Sequence, residues 1–404
     1  MIIRKYAACE ECGTDHVLRI GLGNEPVEQH HFACSHCGSE MGLTLEQGVG
    51  IRFGPNAIEV DPNDSAAVIN LHPDFLFGQA ERSDPKFFAS LEMGARMVQN
   101  MLAARRAAGL SEDFSDAEKA APPPAAIGFE WEALRAAWSL HRNGKDKLAV
   151  ARRERFQKAN PLPEAPDGLP DWLFMFTQRL AGFAFEPMFE GLFQVLRQAM
   201  ESADFERFLG YFDAELSRSH GRRYFELMKA YLNHFSEFSQ AHSAVNFGVK
   251  VADTAVAGST DFDRTRMVYG DAFETFASNV ELLAMLNNLV VGRSFDQFET
   301  MTLDDYHRID KAGRVRAFSA HPALAAAAAE FDNQLRNASH HNGMEFDRKT
   351  GIIHYRSGKG GQGEVKTLGY GNYLARTATL FIQTMLLFRL ELLIADRFKR
   401  RPPL

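Results

Sequence analysis

The stretch Phe331–Phe346, "FDNQLRNASHHNGMEF", follows five consecutive alanines, Ala325–Ala329. An alanine- and leucine-rich segment there gains Asn333, Arg336, Asn337 and two adjacent histidines, then meets Gly343. Alanine is the strongest helix former, and Pro322 suits a first helical turn. The pattern therefore predicts one helix from about Pro322 to about Asn342. Leu324, Ala328, Phe331, Leu335 and Ala338 recur at steps of four and three, a stripe that packs on neighbouring helices. Asn333, Asn337 and His341 are spaced by four, as are Asp332, Arg336 and His340, and both polar stripes lie mainly away from the apolar one. They face solvent, another domain or a second subunit. One reading is a polar helix end, with histidines favoured by the helix dipole and Gly343 as terminator. The other is a place where chemistry is done, and the spacing leaves both open.

The flanking sequence extends this helix into a bundle. A helix is predicted from Asp263 to Val291, with Phe273, Phe276, Val280, Leu283 and Leu286 on one side. "TLDDYHRIDKAGRVRAF" reads as a shorter helix N-capped by Thr302. "MEFDRKTGIIHYRSGKGGQGEVKTL" reads as a hairpin or flexible insert, and a last helix runs from about Tyr373 to about Phe398. The sum is an all-α four-helix bundle over residues 258–404 with one irregular insertion. "SGKGGQG" lacks phosphate-loop spacing and reads as a flexible loop. The tail "RFKRRPPL" reads as a solvated basic end.

All four cysteines lie near the N-terminus, as Cys9-x2-Cys12 and Cys34-x2-Cys37, each pair followed by glycine. Two tight turns that each present two thiolates suit one tetrahedral ion, and four thiolates leave no open position for water. The expectation is a structural zinc ribbon over residues 1–60. "DHVLRI", "HHFAC" and "GIRFGPNAIEV" supply its short strands. His30, His31 and His36 read as surface residues rather than ligands.

Beyond residue 60 the sequence turns helical. Residues 61–125 hold a helix near Leu91–Gly109 and an acidic linker broken by Pro122–Pro124. Residues 126–257 form a phenylalanine-rich helical region with aromatics at three- and four-residue steps, the pattern of a core. Its lone histidines His234 and His242 read as structural. A basic run holds Lys145, Lys147, Arg152, Arg153, Arg155 and Lys158. It is either a solvated helix face or a patch for RNA phosphates. The fold class expected is mainly α: a small β ribbon, a helical middle and a C-terminal bundle.

A formal charge of −7 excludes a bulk polyanion binder. The N-terminus has no apolar region followed by a cleavage site. "ATLFIQTMLLFRLELLIA" is interrupted by Arg389 and Glu391, so it reads as a buried bundle helix rather than a membrane span. A cytoplasmic protein without membrane contact is expected.

Arg336-Asn337, three further residues and His341 resemble the motif of the HEPN superfamily, which keeps it late in the third helix of a four-helix bundle. The resemblance covers residues 258–404 and excludes the ribbon and the middle region. The insertion after the motif departs from the family pattern. The resemblance implies a metal-independent endoribonuclease of antiviral defence (abortive infection) or of a toxin–antitoxin system. It also implies a homodimer whose motif helices meet in one cleft, and products ending in a 2′,3′-cyclic phosphate. Catalytic residues would be Arg336, Asn337 and His341, with His340 and Asn333 as auxiliaries. Zinc would be structural and no cofactor catalytic. Partners would be RNA, a second copy, and an antitoxin or a trigger protein or nucleotide. The competing reading is a non-catalytic nucleotide- or protein-binding adaptor made of zinc ribbon and helices.

Overall fold

The computed structural model describes residues 2–23, 25–107, 111, 126–161, 165–257, 261–340, 343–348, 350–357 and 363–404. Pro122–Pro124, the loop around Lys359, and His341 lie outside the described residues. The fold is mainly α, as expected, with 56% helix and 16% strand. The chain divides into two compact units, each assembled from three stretches. One joins residues 1–112, 234–267 and 334–379; the other joins 113–233, 268–333 and 380–404.

The first unit opens with strands β1 Ile2–Cys9, β2 Asp15–Gly21, β3 Val27–Ala33, β4 Glu40–Glu46, β5 Gly50–Phe53, β6 Ala57–Glu59 and β7 Ala67–Leu71. They form one sheet in the order β6-β1-β2-β7 and another in the order β3-β4-β5. β7 lies past residue 60 and pairs parallel to β2; the other pairings in both sheets are antiparallel. Leu18, Ile20, Phe32, Met41, Leu43 and Ile69 close a small core. Alternation along β3 buries Glu28, His30 and Phe32. His30 is therefore not the surface residue expected: its side chain is fully buried, 3.8 Å from a Glu28 carboxylate oxygen. His31 lies on the opposite face of the strand.

The same unit holds a short pairing of β8 Phe77–Gly78 with β9 Ala255–Val256. It also holds β10 Met344–Asp347, β11 Ile352–Arg356 and β12 Val365–Gly369. These three make an antiparallel sheet, so the insertion after the motif is a regular element.

The second unit is helical. Its aromatic side chains pack ring on ring, as with Trp138 and Phe388 at 5.5 Å and Tyr231 and Phe381 at 3.8 Å between centroids. The helix Tyr370–Arg397 is long and apolar enough to cross a membrane, and 89% of its most apolar window is buried inside the protein. The two charges that interrupt its apolar stretch, Arg389 and Glu391, are both matched. Arg389 donates to Glu186 at 2.7 Å and lies over the Phe189 ring at 3.8 Å. Glu391 accepts from Tyr224 Oη at 2.6 Å and pairs with His220 Nδ1 at 2.7 Å. The other nitrogen of His220 reaches Glu281 at 3.3 Å, and His307 reaches the same carboxylate at 2.5 Å. The C-terminal tail is not a solvated end. Ser217 Oγ donates to the Pro402 carbonyl at 3.1 Å, and a Cβ on Gly221 would lie 2.5 Å from Pro403, so only glycine admits the tail there.

The helix predicted over Pro322–Asn342 is two helices, Pro322–Ala327 and Asn333–His340. Tertiary contacts outweigh alanine propensity, which favours the helix by only a few tenths of a kcal/mol per residue over most alternatives. Phe331 stacks on Phe273 at 4.0 Å and 8° and meets Phe276 at 5.4 Å. The Gln383 side chain holds the break, accepting from the Glu330 amide at 3.2 Å and donating to the Ala326 carbonyl at 3.4 Å. The apolar stripe is therefore split. Leu324 and Ala327 are buried from the first helix, Leu335 and Ala338 from the second. The predicted helix over Asp263–Val291 is likewise two, Phe262–Asn279 and Glu281–Val290. Thr302 caps Leu303–Arg308 as expected, in a reciprocal box with Asp305.

Candidate functional site

The four cysteines converge. Cys9 ends β1 and Cys12 follows in the β1–β2 turn; Cys34 and Cys37 occupy the β3–β4 turn. The Gly13 amide donates to the Cys9 carbonyl at 2.8 Å and the Gly38 amide to the Cys34 carbonyl at 3.0 Å. Both glycines have positive φ, 70° and 76°, which glycine adopts without cost. Sulfur pairs lie 3.7 Å (Cys9–Cys37) and 3.6 Å (Cys12–Cys34) apart, and all four fall within 4.8 Å of one another. A tetrahedral ion with metal–sulfur bonds of about 2.3 Å spaces its sulfurs by about 3.8 Å. The donor set therefore fits a metal ion. Burial pushes the Cys34 thiol up to about 11, while hydrogen bonds from Ser39 bring Cys37 down to about 6. His16, beside this centre, is engaged elsewhere: its Nε2 accepts from the Ser35 amide at 3.1 Å.

The motif residues sit on the short helix Asn333–His340. Leu335, Ala338 and Ser339 anchor its inner side, with Ser339 Oγ 2.7 Å from the Tyr373 hydroxyl. The Gly343 amide donates to the Ala338 carbonyl at 3.2 Å. Arg336 and Asn337 are half-buried and adjacent, with Arg336 Nη1 donating to Asn337 Oδ1 at 2.9 Å. Asn333 is half-buried and His340 is exposed. The structure thus brings Arg336 and Asn337 together, while the position of His341 lies outside the described residues.

A polar cavity of about 380 Å³ in the first unit was not anticipated. Gln29, His31, Glu40, Glu237, Asp261 and Arg348 line it, with His234 and Ser236. Glu237 is buried, and burial raises its carboxyl to about 8 against hydrogen bonds from Tyr370 and Thr265 that pull the other way. The Tyr370 hydroxyl donates to this carboxylate. Burial lowers His31 and His234. His31 Nδ1 lies 3.2 Å from Glu40 Oε1, and Arg348 pairs with the same carboxylate. Two imidazoles biased towards the neutral form and a carboxyl biased towards the acid form give a set able to donate and accept protons near neutrality. His234 thus lines a cavity, whereas His242 is a core residue packed edge-on against Phe235 at 5.3 Å. Glu237 carries no local signal in the mostly polar stretch "HFSEFSQAH". The partners come from distant segments and carry none.

No protein-family model, no curated protein and no solved structure matches this chain.

Proposed function

We propose that the protein is a metal-independent endoribonuclease of HEPN type that works as a cytoplasmic homodimer in antiviral defence (abortive infection) or a toxin–antitoxin system. In this reading the bundle drawn from residues 258–404 carries the active site, and a structural zinc ion held by Cys9, Cys12, Cys34 and Cys37 staples the ribbon. One observation carries the reading. Arg336 and Asn337 stand side by side on a helix whose other side is anchored by Leu335, Ala338 and Ser339, with the Arg336 guanidinium donating to the Asn337 side chain.

The chemistry follows from the residue types. RNA brings its own nucleophile, the 2′-hydroxyl. Cleavage needs that proton removed, the leaving 5′-oxygen protonated, and positive charge on the phosphorane. His341 serves proton transfer, since an imidazole titrates near operating pH. Arg336 grips the scissile phosphate through two parallel N–H bonds. Asn337, already bonded to Arg336, orients the guanidinium or a phosphate oxygen. His340 and Asn333 stand by as auxiliaries. The exposed basic helix Asp146–Ala159 offers phosphate contacts for a longer RNA. The test is expression in a bacterium. Wild type is expected to arrest growth and His341→Ala to be tolerated; equal harmlessness of both would remove the reading.

The polar cavity around Glu237 favours a second reading, a non-catalytic nucleotide- or protein-binding adaptor, because it accommodates a ligand without Arg336 or His341. That reading predicts identical behaviour of His341→Ala and wild type, and loss of function on disrupting Cys9 or Cys34.

A further inference from the structure

A second cavity in the first unit, about 500 Å³, borders the metal knuckle Cys34–Gly38, the segment Asp253–Ala257 and the sheet β10–β11. Arg82 lines it and is 7% exposed. Its Nη1 donates to the Ala257 carbonyl at 3.1 Å, and among the described residues this is its one hydrogen bond, with no carboxylate partner. A guanidinium has five N–H donors in a planar fork. Burying one without an anion is costly and is rare unless a partner arrives. Nothing in the local packing explains the charge: the adjacent Glu81 turns its carboxylate to the Gly78 amide at 2.7 Å.

The rest of the cavity says what kind of anion fits. Phe346 and Tyr370 form one wall, their rings 4.9 Å apart, and Phe32 also lines the space. Arg348 contributes a second guanidinium, already paired with Glu40. The one carboxylate on the lining, Asp253, is exposed and accepts from Asn372 Nδ2 at 2.6 Å. The volume falls within the usual range for small-molecule sites. We propose that this cavity binds a mononucleotide, with its phosphate forked by Arg82 and its base against the Phe346–Tyr370 wall. The site is separate from the Arg336 helix residues, and the inference stands whether or not the chain cleaves RNA.

The experiment is calorimetric titration and thermal-shift measurement on the full chain with the four ribonucleoside 5′-monophosphates, the matching nucleosides and inorganic phosphate. At least one mononucleotide is expected to bind and raise Tm, its nucleoside to give no shift, and phosphate alone to bind more weakly. Arg82→Gln is expected to weaken the mononucleotide by about tenfold or more, to leave the ligand-free Tm unchanged or higher, and Arg82→Lys to fall between. Arg336→Ala is expected to keep the affinity. The nucleoside comparison uses wild type alone and so decides the matter even if Arg82→Gln does not fold. Absence of any shift at about 10 mM mononucleotide, equal binding of nucleoside and nucleotide, loss of binding in Arg336→Ala or undiminished binding to Arg82→Gln would each overturn the proposal. A shift from phosphate equal to that from the nucleotide would overturn the assignment of the aromatic wall.

Discussion

At the scale of single residues, two buried ionisable groups make opposite demands. Burial raises the Glu237 carboxyl from 4.5 to about 8. Between those values the folded chain keeps a proton that the unfolded chain has released, so stability falls as pH rises, by about 1.4 kcal/mol per pH unit for one full proton. Glu237→Gln is expected to flatten urea-melt stability between pH 5 and about 8 and to be more stable than wild type at the upper end; a variant with the wild-type slope would contradict this. His220 is compensated. Burial opposes its charge, but Glu391 and Glu281 outweigh burial and hold it up to about 9. Its stabilisation is complete below 6.5, its ordinary value, and is lost as pH climbs through about 9. Among the described residues, removing it leaves Glu391, which is fully buried, with Tyr224 as its hydrogen-bond partner. His220→Ala is therefore expected to cost roughly 3–5 kcal/mol in urea denaturation at neutral pH, and a loss under about 1 kcal/mol would show that the pair is not formed.

At the scale of elements, what was legible followed from local rules. The cysteine spacing with its following glycines gave both knuckles, because a CxxCG turn is a local geometry. Thr302 gave its cap for the same reason. The alanine run gave a helix but hid its break, since the break depends on Phe331 finding Phe273 and on Gln383, about fifty residues away, bonding across the gap. The β10–β12 sheet was half visible; its strands alternate, but its glycine-rich connection suggested flexibility. The cavities around Glu237 and Arg82 were invisible because each gathers side chains from three stretches of chain. Two predictions belong here. Phe331→Ala, half-buried as the ring is, should cost at least about 2 kcal/mol, read by thermal melting, whereas a neutral effect would mean the stack does not hold the break. Cys34→Ala should abolish binding of one metal ion per chain and reduce the β signal in circular dichroism, and full metal content in that variant would refute the four-sulfur centre.

At the scale of the whole molecule, the account requires a partner for the outer side of the Asn333–His340 helix. Light scattering should return twice the 45.2 kDa chain mass; a monomer at all concentrations would remove the composite cleft. RNA cleavage is the decisive measurement. Purified wild-type protein and the His341→Ala variant would be incubated with total RNA in excess chelator, and the termini of any fragments identified. The account predicts fragments ending in 2′,3′-cyclic phosphate and 5′-hydroxyl from wild type, undiminished by chelator, and at least about a hundredfold loss in His341→Ala. Intact RNA with wild type, or equal cleavage by both proteins, would contradict it.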